Sequence, residues 1–401
     1  MGEGRRADRF GREFRVLAIS EGVSTLGDQL ALVAVAVRVF DTTGSAAAAA
    51  LTLAATFLPD LVAGPLLAPL VDRRPRRTVM AVCAALQAVC AAALAIPGMP
   101  VPVVLACVVA IAMVAAPYKA AQGVTAREVV PEGPARDKVQ AVMTTIREVG
   151  QLAGLAASAV AVAYIGTTAA LLINAGTYVV VAVLVRLGLT RQPPVAAAAR
   201  DARRGFGLVW NNPRLRAATL VILVGTVAIL PEAVIVPLTH EMHAPSWMAG
   251  LFLAADVVGI LVGTTALTLR RVDHQVRVAL VGPMLVCAVA PLLVFATHPG
   301  PIVVVVAMFA SGVGAAYLPT VVTVALNLAP EGTSGRVWGW MRTGLRAGQG
   351  VGILAGGLLA DLLGSPSTAV AVIGVLGSLA AVACAAAWAR TISRAPSGAA
   401  A

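Results

Sequence analysis

Residues 301–328, PIVVVVAMFASGVGAAYLPTVVTVALNL, are mostly apolar and contain no charged side chain. A helix of about 20 apolar residues crosses the hydrocarbon core of a bilayer, so this stretch predicts a transmembrane helix. The 401-residue chain shares this character: 59% of it is hydrophobic and only 12% is charged, against about 25% charged in soluble domains. The composition predicts an integral membrane protein and disfavours disorder, a fibre, a secreted disulfide scaffold and a soluble enzyme.

Eleven similar stretches accompany this one, separated by Gly/Pro-rich or charged connectors. The twelve predicted spans are about 14–39, 46–71, 77–97, 101–126, 138–163, 168–187, 214–238, 246–269, 276–296, 301–328, 335–362 and 367–389. Only helix bundles and closed barrels satisfy the backbone of a membrane-spanning chain. Since these Ala/Val/Leu runs lack the strict alternation of barrel strands, we predict an all-α integral membrane protein with twelve transmembrane helices.

Arginine accounts for most of the net charge of +11 and is concentrated in three segments. These are the N-terminal tail, the connection between the second and third spans, and the long connection near 188–213. Positive residues accumulate in cytoplasmic loops, so an even number of spans places both termini in the cytoplasm. We expect a multi-pass protein of the cell membrane, most simply a bacterial inner membrane. A nucleic-acid surface is disfavoured, because aromatic residues make up only 4% of the chain.

The segment 188–213 is the longest polar stretch inside the chain and divides it into two sets of six spans. Within these sets, Pro-Glu-Gly at 131–133 recurs at 330–332, which is 330 − 131 = 199 residues later. We expect an N-terminal half (1–187), a cytoplasmic linker with an amphipathic segment, and a C-terminal half with a short cytoplasmic tail (214–401). Two such pseudo-symmetric halves would hold a site at the membrane midplane. Chance similarity in a low-complexity sequence is the alternative.

Four stretches together resemble the major facilitator superfamily, and in particular its multidrug and siderophore exporter branch, which includes enterobactin exporters and macrolide-efflux proteins. Residues 14–29 are similar to the first helix of that branch, and 68–77 to the cytoplasmic signature between helices 2 and 3. Residues 204–216 match the amphipathic lead-in to helix 7, and 330–337 the lead-in to helix 11. The resemblance covers nearly the whole chain and implies the major facilitator fold.

The chain departs from that family pattern at several positions. Ala68 and Pro75 stand where the cytoplasmic signature usually has Gly, and helix 5 lacks the Gly-Pro pair of many exporters. The glycine spacing itself is kept. We interpret five glycines of helices 5 and 11 as helix-bending residues that serve alternating access: Gly150, Gly154, Gly348, Gly352 and Gly356.

The charged cluster after the second span has two interpretations. The positive charge either only holds this turn in the cytoplasm, or, as the resemblance implies, forms a cytoplasmic gate. In the second case Asp72 would interact with the positive N-terminal end of helix 11. The predicted gate signature consists of Asp72, Arg73, Arg76, Arg77, Gly335 and Arg336.

Two carboxylates in the first span are candidates for transport chemistry. Glu21 and Asp28 are seven residues apart, which places them on nearly the same helix face about 10 Å apart along the axis. A charge inside a bilayer is costly, so it faces the bundle interior or a wet cavity. Such a pair can bind a proton or a cationic substrate. Alternatively, Glu21 is solvated near the cytoplasm and Asp28 only contacts neighbouring helices.

Seven further charged side chains lie within the predicted spans and are candidates for the proton-coupling or substrate cavity. They are Asp60, Arg147, Glu148, Glu232, Asp256, Arg342 and Arg346. A buried arginine needs a carboxylate or backbone partner, and we expect Asp28 to pair with Arg346 or Arg147. Structural polar contacts, or recognition of an anionic group on the substrate, are the alternatives.

The function predicted from these features is proton-coupled export of a small amphipathic molecule, such as a drug, an antibiotic or a siderophore-like compound, by alternating access. No phosphate-binding Walker loop is present, so we expect an ion gradient to drive transport and no cofactor or metal to be needed. The four scattered histidines and the lack of a nucleophile–base constellation argue against an enzyme. We expect a functional monomer in the lipid bilayer. A nutrient importer or facilitator of the same fold, or a non-transporting membrane sensor, are the alternatives.

Overall fold

The computed structural model describes residues 3–57, 74–128, 134–190, 202–245, 247–270, 272–330 and 333–393. All regular secondary structure within these ranges is helical. The helices that precede residue 191 are α1 (Glu3–Thr43), α2 (Ala46–Ala54), α3 (Arg76–Leu94), α4 (Val101–Glu128), α5 (Pro134–Tyr164) and α6 (Gly166–Gly188).

The helices that follow begin with α7 (Ala202–Asn211), which lies in the predicted linker. The others are α8 (Pro213–Gly225), α9 (Leu230–Glu241), α10 (Met248–Leu269), α11 (His274–Val289), α12 (Pro301–Ala315), α13 (Leu318–Asn327), α14 (Ser334–Leu363) and α15 (Pro366–Ser393). Two 3-10 segments, Thr226–Ile229 and Ala290–Thr297, join α8 to α9 and extend α11.

Ten helical segments of the described residues are long and apolar enough to cross a membrane. They coincide with every predicted span except the second and the eleventh. The second falls largely on residues 58–73, outside the described residues. The eleventh coincides with α14, which has 30 residues and includes Arg342 and Arg346. The predicted all-α, membrane-spanning fold class is confirmed.

Prolines account for the interruptions inside two predicted spans. Proline has no backbone N–H and its ring clashes with the carbonyl four residues earlier, which breaks or kinks a helix. In the seventh span, the 3-10 segment Thr226–Ile229 directly precedes Pro231 in the first turn of α9. In the tenth, α12 ends at Ala315 and α13 starts again with Pro319 in its first turn.

The chain divides into two compact units. The first comprises Met1–Gly44, Leu51–Ala198 and Pro245–Leu251. In its core α1 packs on α5 and α6, and α3 packs on α4 and α6. Leu17 of α1 and Met80 of α3 are both completely buried there.

The second unit comprises Ser45–Ala50, Ala199–Ala244 and Phe252–Ala401. Here α15 packs against α8 and α11, and α14 packs against α7 and α9. Phe252 and Phe295 are completely buried, whereas Leu376 and Leu379 on α15 are mostly exposed. Large apolar side chains that face outward along a helix are the surface that lipid covers.

The short segment Ser45–Ala50 belongs to the second unit and the short segment Pro245–Leu251 to the first, and in each a glycine permits close packing. A Cβ added at Gly357 of α14 would lie 2.9 Å from the carbonyl oxygen of Ala46, in the second unit. A Cβ added at Gly250 of α10 would lie 2.9 Å from the carbonyl oxygen of Leu155, in the first unit. Only a residue without a side chain allows the helices to approach this closely.

Candidate transport site

Asp28 of α1 is held by a tyrosine from α6. The Tyr178 hydroxyl donates a hydrogen bond to Asp28 Oδ1 at 2.5 Å, and Tyr178 is only 2% exposed. The neighbouring residue, Gly27, brings the two helices together: a Cβ there would lie 2.6 Å from Asn174 Oδ1. Because a hydrogen bond to a charged group is stronger than a neutral one, this contact stabilises the ionised carboxylate in place.

Glu21 of α1 pairs with Arg147 of α5. The Arg147 Nε donates to Glu21 Oε1 at 2.6 Å, and the two side chains are 50% and 6% exposed, respectively. Of the two partners predicted for Asp28, Arg346 or Arg147, the second is therefore wrong, and the first stays a prediction. Since Glu21 is buried and ion-paired, the alternative of a solvated Glu21 also fails. A single arginine cannot reach both acids when they are two turns apart on α1.

Two residues of α4 complete the polar environment around these acids. The charges of Glu21 and Asp28 both act on Tyr118, and the charge of Lys119 acts on Asp28. The sequence analysis had not selected Tyr118, Lys119 or Tyr178. Lys119 carried a usable signal, because a lysine deep inside an apolar span is rare and marks a functional position.

The second unit contains its own pair of acids. Glu232 on α9 and Asp256 on α10 are close enough for their charges to act on each other, and both are half-buried. Neither carboxylate makes a hydrogen bond or ion pair with another residue that the structure describes. Carboxylates arranged in this way attract a proton or a cationic group.

The other predicted cavity residues are distributed as follows. Glu148 on α5 and Arg346 on α14 are half-buried, and Arg342 on α14 is exposed. Asp60 lies outside the described residues. Within the described ranges, no group of three or more His, Cys, Asp or Glu side chains is arranged to hold a metal ion.

The predicted helix-bending glycines lie at helix contacts. On α5, a Cβ at Gly154 would lie 2.5 Å from the Leu26 carbonyl oxygen, and one at Gly150 would lie 3.2 Å from that of Gly22. On α14, Gly348 faces Thr226, while Gly352 and Gly356 face Leu230. Gly150 and Gly154 thus permit close packing of α5 on α1, and bending stays a prediction for all five glycines.

The predicted cytoplasmic gate is described only in part. Asp72 and Arg73 lie outside the described residues. Arg76 is buried, and Arg77 Nη1 donates to the Leu189 carbonyl oxygen at 3.2 Å in the same unit. The backbone of Gly335 and Arg336 forms the start of α14. The gate stays a prediction.

Comparison with known proteins agrees with this arrangement of long apolar helices. The family model of the Major Facilitator Superfamily matches residues 17–309, which is more than half of the chain. The chain belongs to the Major Facilitator Superfamily. Members of this family are membrane transporters that carry small molecules, so the chain is a multi-pass membrane transporter.

Several known proteins resemble this transporter. The multidrug efflux pump Tap of Mycolicibacterium fortuitum is 25% identical over 359 residues, which are 85% of this chain and 88% of that protein. The nucleoside transporter NupG aligns over 96% of this chain and 100% of its own, with a TM-score of 0.74 and 13% identity. A bacterial homologue of the human lysosomal transporter Spinster, inward-facing and unoccupied, aligns over 96% of each chain, with a TM-score of 0.68 and 15% identity. The two structures show the shared fold.

Proposed function

We propose that this transporter exports small amphipathic molecules, such as drugs, antibiotics or siderophore-like compounds, in exchange for protons. The observation that carries the proposal is the carboxylate of Asp28, which lies inside an apolar span, accepts a hydrogen bond from Tyr178 and lies within electrostatic range of Lys119. A charge kept in such a place despite its cost marks a transport pathway. The similarity to a multidrug efflux pump supports export.

The coupling follows from the two charge states of Asp28. In its ionised form the carboxylate accepts a hydrogen bond from the Tyr178 hydroxyl and attracts the exposed Lys119 side chain. A proton on Asp28 removes that negative charge, so the attraction to Lys119 is lost. A proton gradient therefore protonates and deprotonates Asp28 once per cycle. The ionised form and the protonated form each favour a different conformation of the transporter. Alternating access follows when the two conformations open to opposite sides of the membrane.

Glu232 and Asp256 supply the second part of the proposal. Neither carboxylate has a hydrogen-bond or ion-pair partner among the described residues, so both are available to a proton or to the cationic end of an amphipathic substrate. We further infer from the arginine distribution that both termini are cytoplasmic. The transporter works as a monomer in the bilayer, with the proton gradient as its energy source and no cofactor.

Ethidium, a cationic amphipathic dye, tests this function in cells that lack other efflux pumps. We expect the wild-type protein to lower dye accumulation, and a protonophore to abolish the effect. Asp28→Asn should reduce energised efflux by at least about tenfold, because it removes the protonatable group. Asp273→Asn is the control, since Asp273 is exposed and caps no helix through its side chain. Undiminished efflux in Asp28→Asn would refute the coupling, and increased accumulation would indicate an importer.

A further inference from the structure

Three polar groups on α1 and α4 of the first unit are buried without a hydrogen-bond partner among the described residues. They are Ser20 Oγ of α1 and, on α4, Tyr118 OH and Gln122 Nε2. The three residues are 0%, 5% and 4% exposed, respectively. At least about 90% of buried polar groups in proteins are hydrogen-bonded to the protein or to ordered water. Three orphaned groups in one place therefore point to a bound species that satisfies them.

These groups belong to one cluster. Tyr118 and Gln122 are four residues apart on α4, and so lie on the same helix face. The Tyr118 and Ser20 hydroxyls are neighbours, although they do not reach hydrogen-bonding geometry with each other. A site lined by two hydroxyls and an amide provides the two to four polar partners that an internal water needs.

The position of the cluster connects it to transport. Both Glu21 and Asp28 act electrostatically on Tyr118, although the two acids are about 10 Å apart along α1. This separation is too long for a direct proton transfer, which needs hydrogen-bond contact or one bridging water. At the Glu21 end, the paired Arg147 side chain is half exposed.

We propose that Ser20, Tyr118 and Gln122 bind internal water, and that this water and the Tyr118 hydroxyl pass protons between Asp28 and Glu21. In each transfer the Tyr118 oxygen accepts one proton from the water on one side and gives up its own proton to the water on the other. No net charge stays on the tyrosine, and no electron transfer is involved. Tyr178 on α6 and Lys119 on α4 are the other charged or titratable groups that act on Asp28. The inference rests on the proposed proton coupling and assigns a path to it.

The test uses Tyr118→Phe, which removes only the hydroxyl oxygen. Tyr317→Phe is the matched control: Tyr317 is 3% exposed in the second unit, where its hydroxyl donates to the Val221 carbonyl oxygen. Purified proteins in proteoliposomes are assayed for ethidium transport driven by a proton gradient, and for ethidium counterflow without a gradient. Counterflow requires binding and conformational exchange, and no net proton movement.

We expect Tyr118→Phe to lower gradient-driven transport by at least about tenfold while counterflow stays within about twofold of wild type. The control should change neither rate. Gln122→Met, which removes one water ligand at similar volume, should show the same split with a smaller loss, and it also decides the question if Tyr118→Phe does not fold. Unchanged gradient-driven transport, or an equal loss of both rates in folded protein, would overturn the relay. A wild-type protein that shows counterflow without any response to the gradient would instead refute the proposed proton coupling, and the relay with it.

Discussion

The carboxylate of Asp361 caps the start of α2 from a distant part of the sequence. Asp361 Oδ1 accepts from the Ala46 backbone N–H at 2.8 Å, and Oδ2 accepts from the Ala47 N–H at 3.1 Å and from the Ser45 hydroxyl at 2.6 Å. The first N–H groups of a helix have no partner within the helix. Asp361 therefore supplies the hydrogen bonds that the first turn of α2 cannot make itself, and Asp361→Ala should open that turn.

The size of the effect follows from the three bonds. Replacing a capping side chain with Ala costs about 0.5–2 kcal/mol, and a carboxylate at a helix N-terminus adds about 0.3–1 kcal/mol. Because Asp361 is exposed to solvent, we take about 1.5 kcal/mol, which corresponds to roughly tenfold more frequent opening. Asp361→Asn keeps one acceptor oxygen, so we expect about half this free energy and roughly threefold more opening.

Hydrogen–deuterium exchange of the detergent-solubilised protein measures this opening. The amides of Ala46 and Ala47 should exchange about tenfold faster in Asp361→Ala. The Ala48 amide should change less, because it is held by Ser45 Oγ at 3.1 Å. The start of α15 provides the matched reference, since Glu241 accepts there from the Ser367 N–H at 2.9 Å.

The reciprocal variant tests whether faster exchange comes from the lost cap or from a general loss of stability. Glu241→Ala should accelerate exchange at the start of α15 and leave the start of α2 unchanged, which is the reverse of the Asp361→Ala pattern. Equal acceleration at both helix starts in either variant would indicate general loss of stability instead of a lost cap. Unchanged exchange at Ala46 and Ala47 in Asp361→Ala would show that the carboxylate does not stabilise α2.

Two further substitutions test helix contacts in the first unit by thermal unfolding. Gly154→Ala should lower the free energy of unfolding by about 1–3 kcal/mol, because its Cβ would meet the Leu26 carbonyl oxygen at 2.5 Å. Gly123→Ala, whose Cβ would meet nothing within 4 Å, should stabilise the protein by up to about 1 kcal/mol. Equal melting temperatures of the two variants would contradict this. Arg147→Ala should cost about 1–3 kcal/mol because it leaves Glu21 buried without its partner, a figure lowered for the solvent around Arg147. Adding Glu21→Gln should recover part of that loss, and strictly additive effects in this double-mutant cycle would show that the pair is not coupled.

The membrane spans could be predicted because the criterion that defines them is local. A run of apolar residues of bilayer length suffices, so the predicted span 101–126 and α4 (Val101–Glu128) nearly coincide. The helix breaks inside the spans were harder to predict from the sequence. Pro319 separates α12 from α13, whereas Pro117 lies inside the continuous α4. In an apolar span, neighbouring helices can satisfy the backbone groups that a proline leaves free, and sequence spacing does not report those neighbours.

Only the part of the site that lies on a single helix could be predicted from the sequence. Glu21 and Asp28 could be placed on one face of α1 from their spacing alone. Their partners are 126 and 150 residues away in the sequence, on α5 and α6. Which helix lies against which depends on packing, so the sequence left the partner of Asp28 open between Arg346 and Arg147, and Arg147 pairs with Glu21 instead. Tyr178 had no distinguishing signal among the other polar residues of its span.

The two acids of α1 nevertheless share a local feature of the sequence. Each acid adjoins a glycine, as Glu21-Gly22 and as Gly27-Asp28. A Cβ at Gly22 would lie 3.3 Å from Ile146 Cγ2 of α5, and Gly27 lies against Asn174 of α6. The glycine draws the neighbouring helix close, and that proximity brings the partner side chain within hydrogen-bonding distance of the acid. Since an intramembrane carboxylate without a partner is destabilising, the small residue beside it is what makes the charge tolerable. In α1, the glycine beside each acid therefore lies against the helix that supplies the partner, which is α5 for Glu21 and α6 for Asp28.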